Sequence, residues 1–269
     1  MPSSELLVLG LVALLSCGLS YLGASVGLVF GQLRLPILVY WLGSPAVGAA
    51  TSLAISAVAA LVGAARHARG GRVELRLMLT IGLPSAAAAW ASTQVAPGLD
   101  PALVKLCIGA TLVITGLVML WAIVRPPRRA EASEPEPASA SRASVTVERR
   151  PHLLAEIGVG ASLGAAAGVV GLLLGTLRLP AMMRLGVHPA KVVGTNLAIG
   201  AATGLFAGVA ALVDGTVDPW AFAVITPATM LGAYLGASAT GRLDKNTLRR
   251  LIAWSLLGVG LWMAAEPWW

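Results

Sequence analysis

Long stretches without a charged residue decide what this chain can fold into. They run Leu6–Leu33, Leu35–Ala65, Leu77–Leu99, Leu106–Val124, Ile157–Leu177, Val192–Val213 and Pro219–Gly241. Most reach the roughly 20 apolar residues that cross a bilayer as a helix. A hydrocarbon core cannot solvate free amides, so such segments become helices or a closed barrel. Their apolar residues follow one another without alternating, which excludes barrel strands. Leu251–Ala265 is shorter, but Arg249 and Arg250 can snorkel and Trp262, Trp268 and Trp269 suit an interface. Composition agrees, with 57% hydrophobic and 12% charged residues and a mean hydropathy of +0.82. The expected class is an all-α polytopic membrane protein of about eight transmembrane helices, multi-pass in the cytoplasmic membrane. The first stretch lacks a basic leader and is too long for a signal core, so it is expected to span rather than be cleaved. The net charge of +7 points to anionic lipid rather than nucleic acid. Cys17 and Cys107 lie in apolar runs and suit packing.

The chain also states one pattern twice. Gly27-Leu28-Val29-Phe30-Gly31-Gln32-Leu33-Arg34-Leu35-Pro36 returns as Gly171-Leu172-Leu173-Leu174-Gly175-Thr176-Leu177-Arg178-Leu179-Pro180. At the same offset Pro45-Ala46 returns as Pro189-Ala190, and Thr51-Ser52-Leu53-Ala54-Ile55 as Thr195-Asn196-Leu197-Ala198-Ile199. The correspondence persists without a gap to Gly71/Gly215, Leu99-Asp100/Leu243-Asp244 and Gly116-Leu117/Gly260-Leu261. So long a repeat indicates a duplicated domain rather than a solenoid. Residues 1–124 form a first transmembrane repeat and 152–269 a second. Residues 125–151, rich in Pro, Ser, Glu and Arg, read as a flexible linker.

Within Leu35–Ala65, Pro36, Gly43 and Pro45 interrupt helix, giving a broken approach from Gly31 to about Ser44 and a helix from Pro45. Pro180, Gly186 and Pro189 repeat the interruption, so broken helices are expected after Gly31 and Gly175. Matching interruptions in two halves point to a transporter binding site. Charge leaves the orientation open. If every segment crosses once, Arg66, Arg69, Arg72 and Arg76 share a side with the linker, while Arg178, Arg184, Lys191, Arg242, Lys245, Arg249 and Arg250 lie opposite. Either some of these arginines are functional and defy the positive-inside rule, or each half makes an odd number of crossings and the repeats are inverted.

Arg34 and Arg178 are the sharpest site candidates. An arginine at membrane depth is expensive and usually faces a cavity or a partner. A loop position against lipid phosphate is the plainer alternative. Guanidinium can grip a carboxylate, sulfonate or sulfite bidentately. Thr51, Ser52, Thr195 and Asn196 follow the breaks, where free amides and the helix dipole favour anions, although such side chains also glue helices together. Gly31 and Gly175, with Gly27 and Gly171, could expose backbone to a ligand, and their spacing equally suits helix packing. Asp100, Asp214, Asp218 and Asp244 read as solvated loop acids, any of which could relay a proton. His67, His152 and His188 are scattered, without the clustering a metal needs. No nucleophile elbow, phosphate loop or paired carboxylate argues for an enzyme, and no cofactor is expected.

These residues resemble the sulfite exporter TauE/SafE family of membrane permeases. The likeness lies in a glycine-rich stretch ending in proline, then Gly-x-Pro and Thr-Ser-Leu, at Gly27–Ile55 and again at Gly171–Ile199. The resemblance implies secondary transport of small anions such as sulfite, sulfonates or organic anions, without ATP-binding parts. In place of the family's run of glycines stand Val29-Phe30-Gly31 and Leu173-Leu174-Gly175, and an arginine follows in both halves. The expectation is a secondary permease with a central anion site between the repeats, working by alternating access. A proton or sodium ion as coupling partner, and a homo-oligomer, are compatible with it. A non-transporting membrane scaffold or assembly subunit is the alternative.

Overall fold

The computed structural model describes residues 3–26, 31–124, 153–184, 189–238 and 245–266. The expected linker 125–151, Gly27 and Gly186 lie outside these. Among the described residues every regular element is helical. In order they are α1 (Ser3–Val26), α2 (Arg34–Trp41), α3 (Pro45–Arg69), α4 (Leu75–Thr80), α5 (Gly82–Val95) and α6 (Pro101–Val124). Then follow α7 (Leu153–Val170), α8 (Gly175–Arg184), α9 (Pro189–Val213), α10 (Pro219–Ser238) and α11 (Lys245–Ala265). Five stretches of the described helices are long and apolar enough to cross a membrane: Leu6–Ala24, Pro45–Arg69, Pro101–Val124, Leu153–Val170 and Lys191–Val213.

Local chemistry sets the boundaries. Between α2 and α3 the chain turns at Gly43, whose φ of 66° is a left-handed conformation. Ser44 then caps α3, its hydroxyl accepting from the Val47 amide at 3.4 Å, with Pro45 in the first turn. Arg66, His67 and Arg69 occupy the last turn of α3, where the helix dipole favours cations. Asp100 and Asp218 are caps rather than merely solvated acids: Asp100 Oδ1 accepts from Ala102 N at 2.8 Å and Asp218 Oδ1 from Ala221 N at 2.7 Å. The second interruption differs from expectation in extent. It lies on both sides of Gly175: α7 ends at Val170, Gly171 takes a φ of 74° and Gly175 opens α8, which in turn ends at Arg184 ahead of α9 at Pro189. Pro180 is carried inside α8.

The helices are apolar outside and polar within. Leu7 and Leu14 of α1 are 63% and 72% exposed and Trp254 of α11 is 65% exposed, whereas Gln32, Arg34, Thr51, Ser85, Arg178, Thr195, Asn196 and Thr203 are buried. In water this would leave large apolar patches uncovered; facing lipid tails it is the stable arrangement. Helices α3 and α9 are the most buried of the candidate spans, with α1, α6 and α7 towards the outside.

Small residues bring the backbones together. A Cβ at Gly160, Gly164 or Gly168 of α7 would run into the carbonyls of Ile81, Ser85 and Ala89 beside and along α5, so the two helices run parallel in close contact. Gly232 and Gly236 of α10 lie likewise against the Cys17 and Tyr21 carbonyls of α1, again in parallel. In contrast, Gly109 of α6 meets Gly260 of α11 while Gly116 meets Ala253, which is an antiparallel crossing. Gly204 and Gly208 of α9 meet Ala57 and Ala54 of α3, also antiparallel.

Candidate functional site

Helices α2 and α8 each start near an arginine and drive it into the interior. In the first, Arg34 is 1% exposed. Its Nη2 donates to the Ser52 carbonyl at 2.9 Å and to Ser56 Oγ at 2.8 Å. Ser56 is roughly 17 Å along α3 from Pro45 at 1.5 Å per residue, close to the middle of a 25-residue helix. The guanidinium therefore stands near half the height of α3, where a charge in a bilayer costs about 3 kcal/mol or more. Gly31 is required here, because a Cβ would collide with Ser56 Oγ and come within 3.1 Å of Arg34 Nη2.

In the second, Arg178 is fully buried. Its Nη1 reaches Asn196 Oδ1 and its Nη2 reaches Ser85 Oγ, both at 3.5 Å, the outer limit of a hydrogen bond. Ser85 belongs to α5, in the other half of the chain, and lies 2.8 Å from Thr203 Oγ1 of α9. The Thr203 hydroxyl also stands 2.8 Å from the Ile199 carbonyl. One hydroxyl proton cannot serve two acceptors, so Thr203 donates to Ile199 and Ser85 donates to Thr203. A Cβ at Gly175 would come within 2.7 Å of Asn196 Nδ2.

Among the described residues both arginines meet only neutral groups. Among the described residues the ion pairs are Arg76–Glu156, Lys105–Glu266 and Lys191–Glu74, none involving Arg34 or Arg178. Arg34 Nε, Arg178 Nε, Ser52 Oγ and Gln32 Oε1 are buried without a hydrogen-bond partner. Among the described residues, then, two buried guanidinium groups lack an acidic partner and keep an open Nε donor each.

The other expected residues divide. Asn196 joins Arg178 directly, and Ser52 joins Arg34 through its backbone. Thr51 and Thr195 make hydrogen bonds elsewhere: Thr51 Oγ1 accepts from Asp218 N and Thr195 Oγ1 from Glu74 N, each at 2.9 Å. The two bonds are reciprocal, since Thr51/Thr195 and Glu74/Asp218 are matching positions of the sequence repeat. Between the arginine-bearing segments Gln32 Nε2 donates to Thr176 Oγ1 at 3.3 Å, a residue meeting its own counterpart 144 positions on. Ser56, Ser85, Thr203, Gln32 and Thr176 were not singled out by sequence. Ser56, Ser85 and Thr203 correspond to Gly200, Thr229 and Ala59, so duplication could not flag the first and third as polar positions.

Comparison with known families identifies the chain. The model for "Sulfite exporter TauE/SafE" matches residues 11–263, and the chain belongs to that family of membrane permeases. No curated protein and no solved structure matches it.

Proposed function

We propose, from membership of this family, that the protein is a secondary permease for small oxyanions, with sulfite and sulfonates as its substrates, binding them between its two halves. The observation that carries this is the pair of buried arginines, on α2 and α8, each with an unpaired Nε and without an acidic partner among the described residues. A channel interior would hydrate such charges; an occluded anion would neutralise them.

Alternating access follows from the relation between the halves, which we read as inverted repeats. Reciprocal contacts support this: α1 on α10 answers α7 on α5, and α6 and α3 each cross their own counterparts antiparallel. A two-fold axis lying across the helices gives that pattern; an axis along them would make counterparts parallel. The charge conflict then disappears. Arg66 of α3 stacks over the Tyr234 ring of α10 at 5.6 Å, and Thr51 bonds the start of α10, so α3 and α10 run together. Each half makes an odd number of passes, the broken segments through α2 and α8 included. Arg66, Arg69, Arg72, Arg76, Lys191 and Arg250 share one face, the cytoplasmic one by the positive-inside rule, and Asp100, Asp214, Asp218 and Glu266 share the other.

The test is sulfite flux in proteoliposomes. Replacing Arg34 and Arg178 together by glutamine keeps the volume and removes both charges, and flux falls to the protein-free rate. Flux equal to wild type would contradict a permease of this design, and a scaffold would be indifferent to the change.

A further inference from the structure

Resting on the permease reading, we infer that the two arginines have unequal tasks: Arg178, with Ser85 of the opposite half, grips the oxyanion, and Arg34 is a fixed strut that contributes charge. Hydrogen-bond geometry distinguishes them. Arg34 Nη2 is spent on two short bonds of 2.8 and 2.9 Å, to Ser56 Oγ and to the Ser52 carbonyl. Its Nε/Nη2 edge, the one that forks onto two oxygens of an anion, is half occupied. Arg178 has the same edge almost free. Its Nε is unpaired and its Nη2 makes one contact at the 3.5 Å limit. Little is given up when that edge turns to a ligand.

The group beside that edge supplies the rest of the recognition. Ser85 is fully buried and is held by Thr203 at 2.8 Å, so its hydroxyl is positioned without being committed to a backbone carbonyl. Turning its proton from Thr203 to a ligand leaves Thr203 still donating to the Ile199 carbonyl. An anion then receives two donors from Arg178 and a third from Ser85. Three oxygens arranged as a pyramid about one atom, as in sulfite or a sulfonate, let each donor meet its own acceptor; a planar carboxylate must take the third donor on an oxygen already bonded to Arg178 and in the plane of its fork. The counterpart of Ser85 in the repeat is Thr229, whose hydroxyl donates to the Ile225 carbonyl of its own helix at 2.7 Å and is used up there. The asymmetry is therefore in the residues on both sides, not in one distance. Because Ser85 sits on α5 and Arg178 on α8, ligand binding joins the halves at this point.

Sulfite, methanesulfonate and acetate binding to the purified full chain in detergent provides the test, by titration with a thermal-shift readout of the unliganded protein alongside. Ser85→Ala lowers sulfite and methanesulfonate affinity at least tenfold and acetate affinity less than threefold, so that the preference for three-oxygen anions collapses. Thr229→Val leaves all three affinities within twofold of wild type. Arg178→Lys, which keeps charge and loses the fork, costs at least ten times more sulfite affinity than Arg34→Lys, whose effect is read mainly as a lower melting temperature. Equal losses for Ser85→Ala and Thr229→Val, or a larger loss for Arg34→Lys than for Arg178→Lys, would overturn the assignment while leaving the permease intact. Wild-type protein that binds none of the three anions would overturn both.

Discussion

At the scale of single residues, the interior holds two charges that no acidic group among the described residues neutralises, and glycine makes room for them. A Cβ at Gly31 has no space beside Ser56 Oγ and Arg34 Nη2, so Gly31→Ala must displace the bond that anchors the arginine. Overpacking of this kind costs about 1–3 kcal/mol, and a lowered melting temperature in detergent is the expected result. Gly18→Ala is the matched control, since nothing lies within 4 Å of its Cβ position in α1. There alanine gains about 0.5–1 kcal/mol of helix propensity, and the melting temperature should stay or rise. Arg34 and Arg178 stood out in the sequence because a charge among apolar residues is costly and because the context occurs twice. Ser56, Ser85 and Thr203 did not, because a hydroxyl in an apolar helix usually bonds its own backbone. Only the packing of α3, α5 and α9 around the arginines gives these three another partner.

Among the elements, the fold rests on helix pairs that approach through glycine. The face of α7 formed by Gly160, Gly164 and Gly168 lies on the α5 backbone, so Gly164→Leu should part α5 from α7 and carry Ser85 away from Arg178. Loss of monodispersity in detergent together with loss of sulfite binding is the expected outcome. A polar tie holds the far end of α2. Tyr40 Oη donates to Glu266 Oε2 at 3.0 Å, and Lys105 Nζ lies 2.7 Å from Glu266 Oε1. The hydrogen bond from Lys105 holds the Glu266 carboxyl below its ordinary value of 4.5. A carboxylate so depressed contributes stability that is fully present above that value and is lost as pH falls through the lower folded one. Melting temperatures measured from pH 7 down to pH 3 should therefore drop more for wild type than for Glu266→Gln, which has no carboxylate to protonate. Parallel curves would remove the tie from the account. The helix starting at Pro45 was legible from its proline and the preceding Gly-Ser. The break between α4 and α5 was not, since Ile81-Gly82 sits in an apolar run without proline until Leu83-Pro84.

For the whole molecule, duplication was plain in the sequence but its geometry was not, because a repeat says which residues correspond and not which way they face. Charge alone gave contradictory votes under four crossings per half. The contacts on which the inverted reading rests join distant residues: Thr51 to Asp218, Thr195 to Glu74, Gln32 to Thr176 and Gly109 to Gly260. They support the proposed reading of two halves facing opposite ways about a shared anion site, an arrangement in which alternating access would exchange equivalent conformations. Single cysteines at Gly70, Gly98, Gly215 and Asp244, in a background with Cys17 and Cys107 replaced, test this most directly through labelling by a membrane-impermeant maleimide in oriented vesicles. Gly70→Cys and Asp244→Cys should label from one face, and Gly98→Cys and Gly215→Cys from the other. Labelling of positions 70 and 244 from opposite faces would contradict the inverted halves and the mechanism built on them.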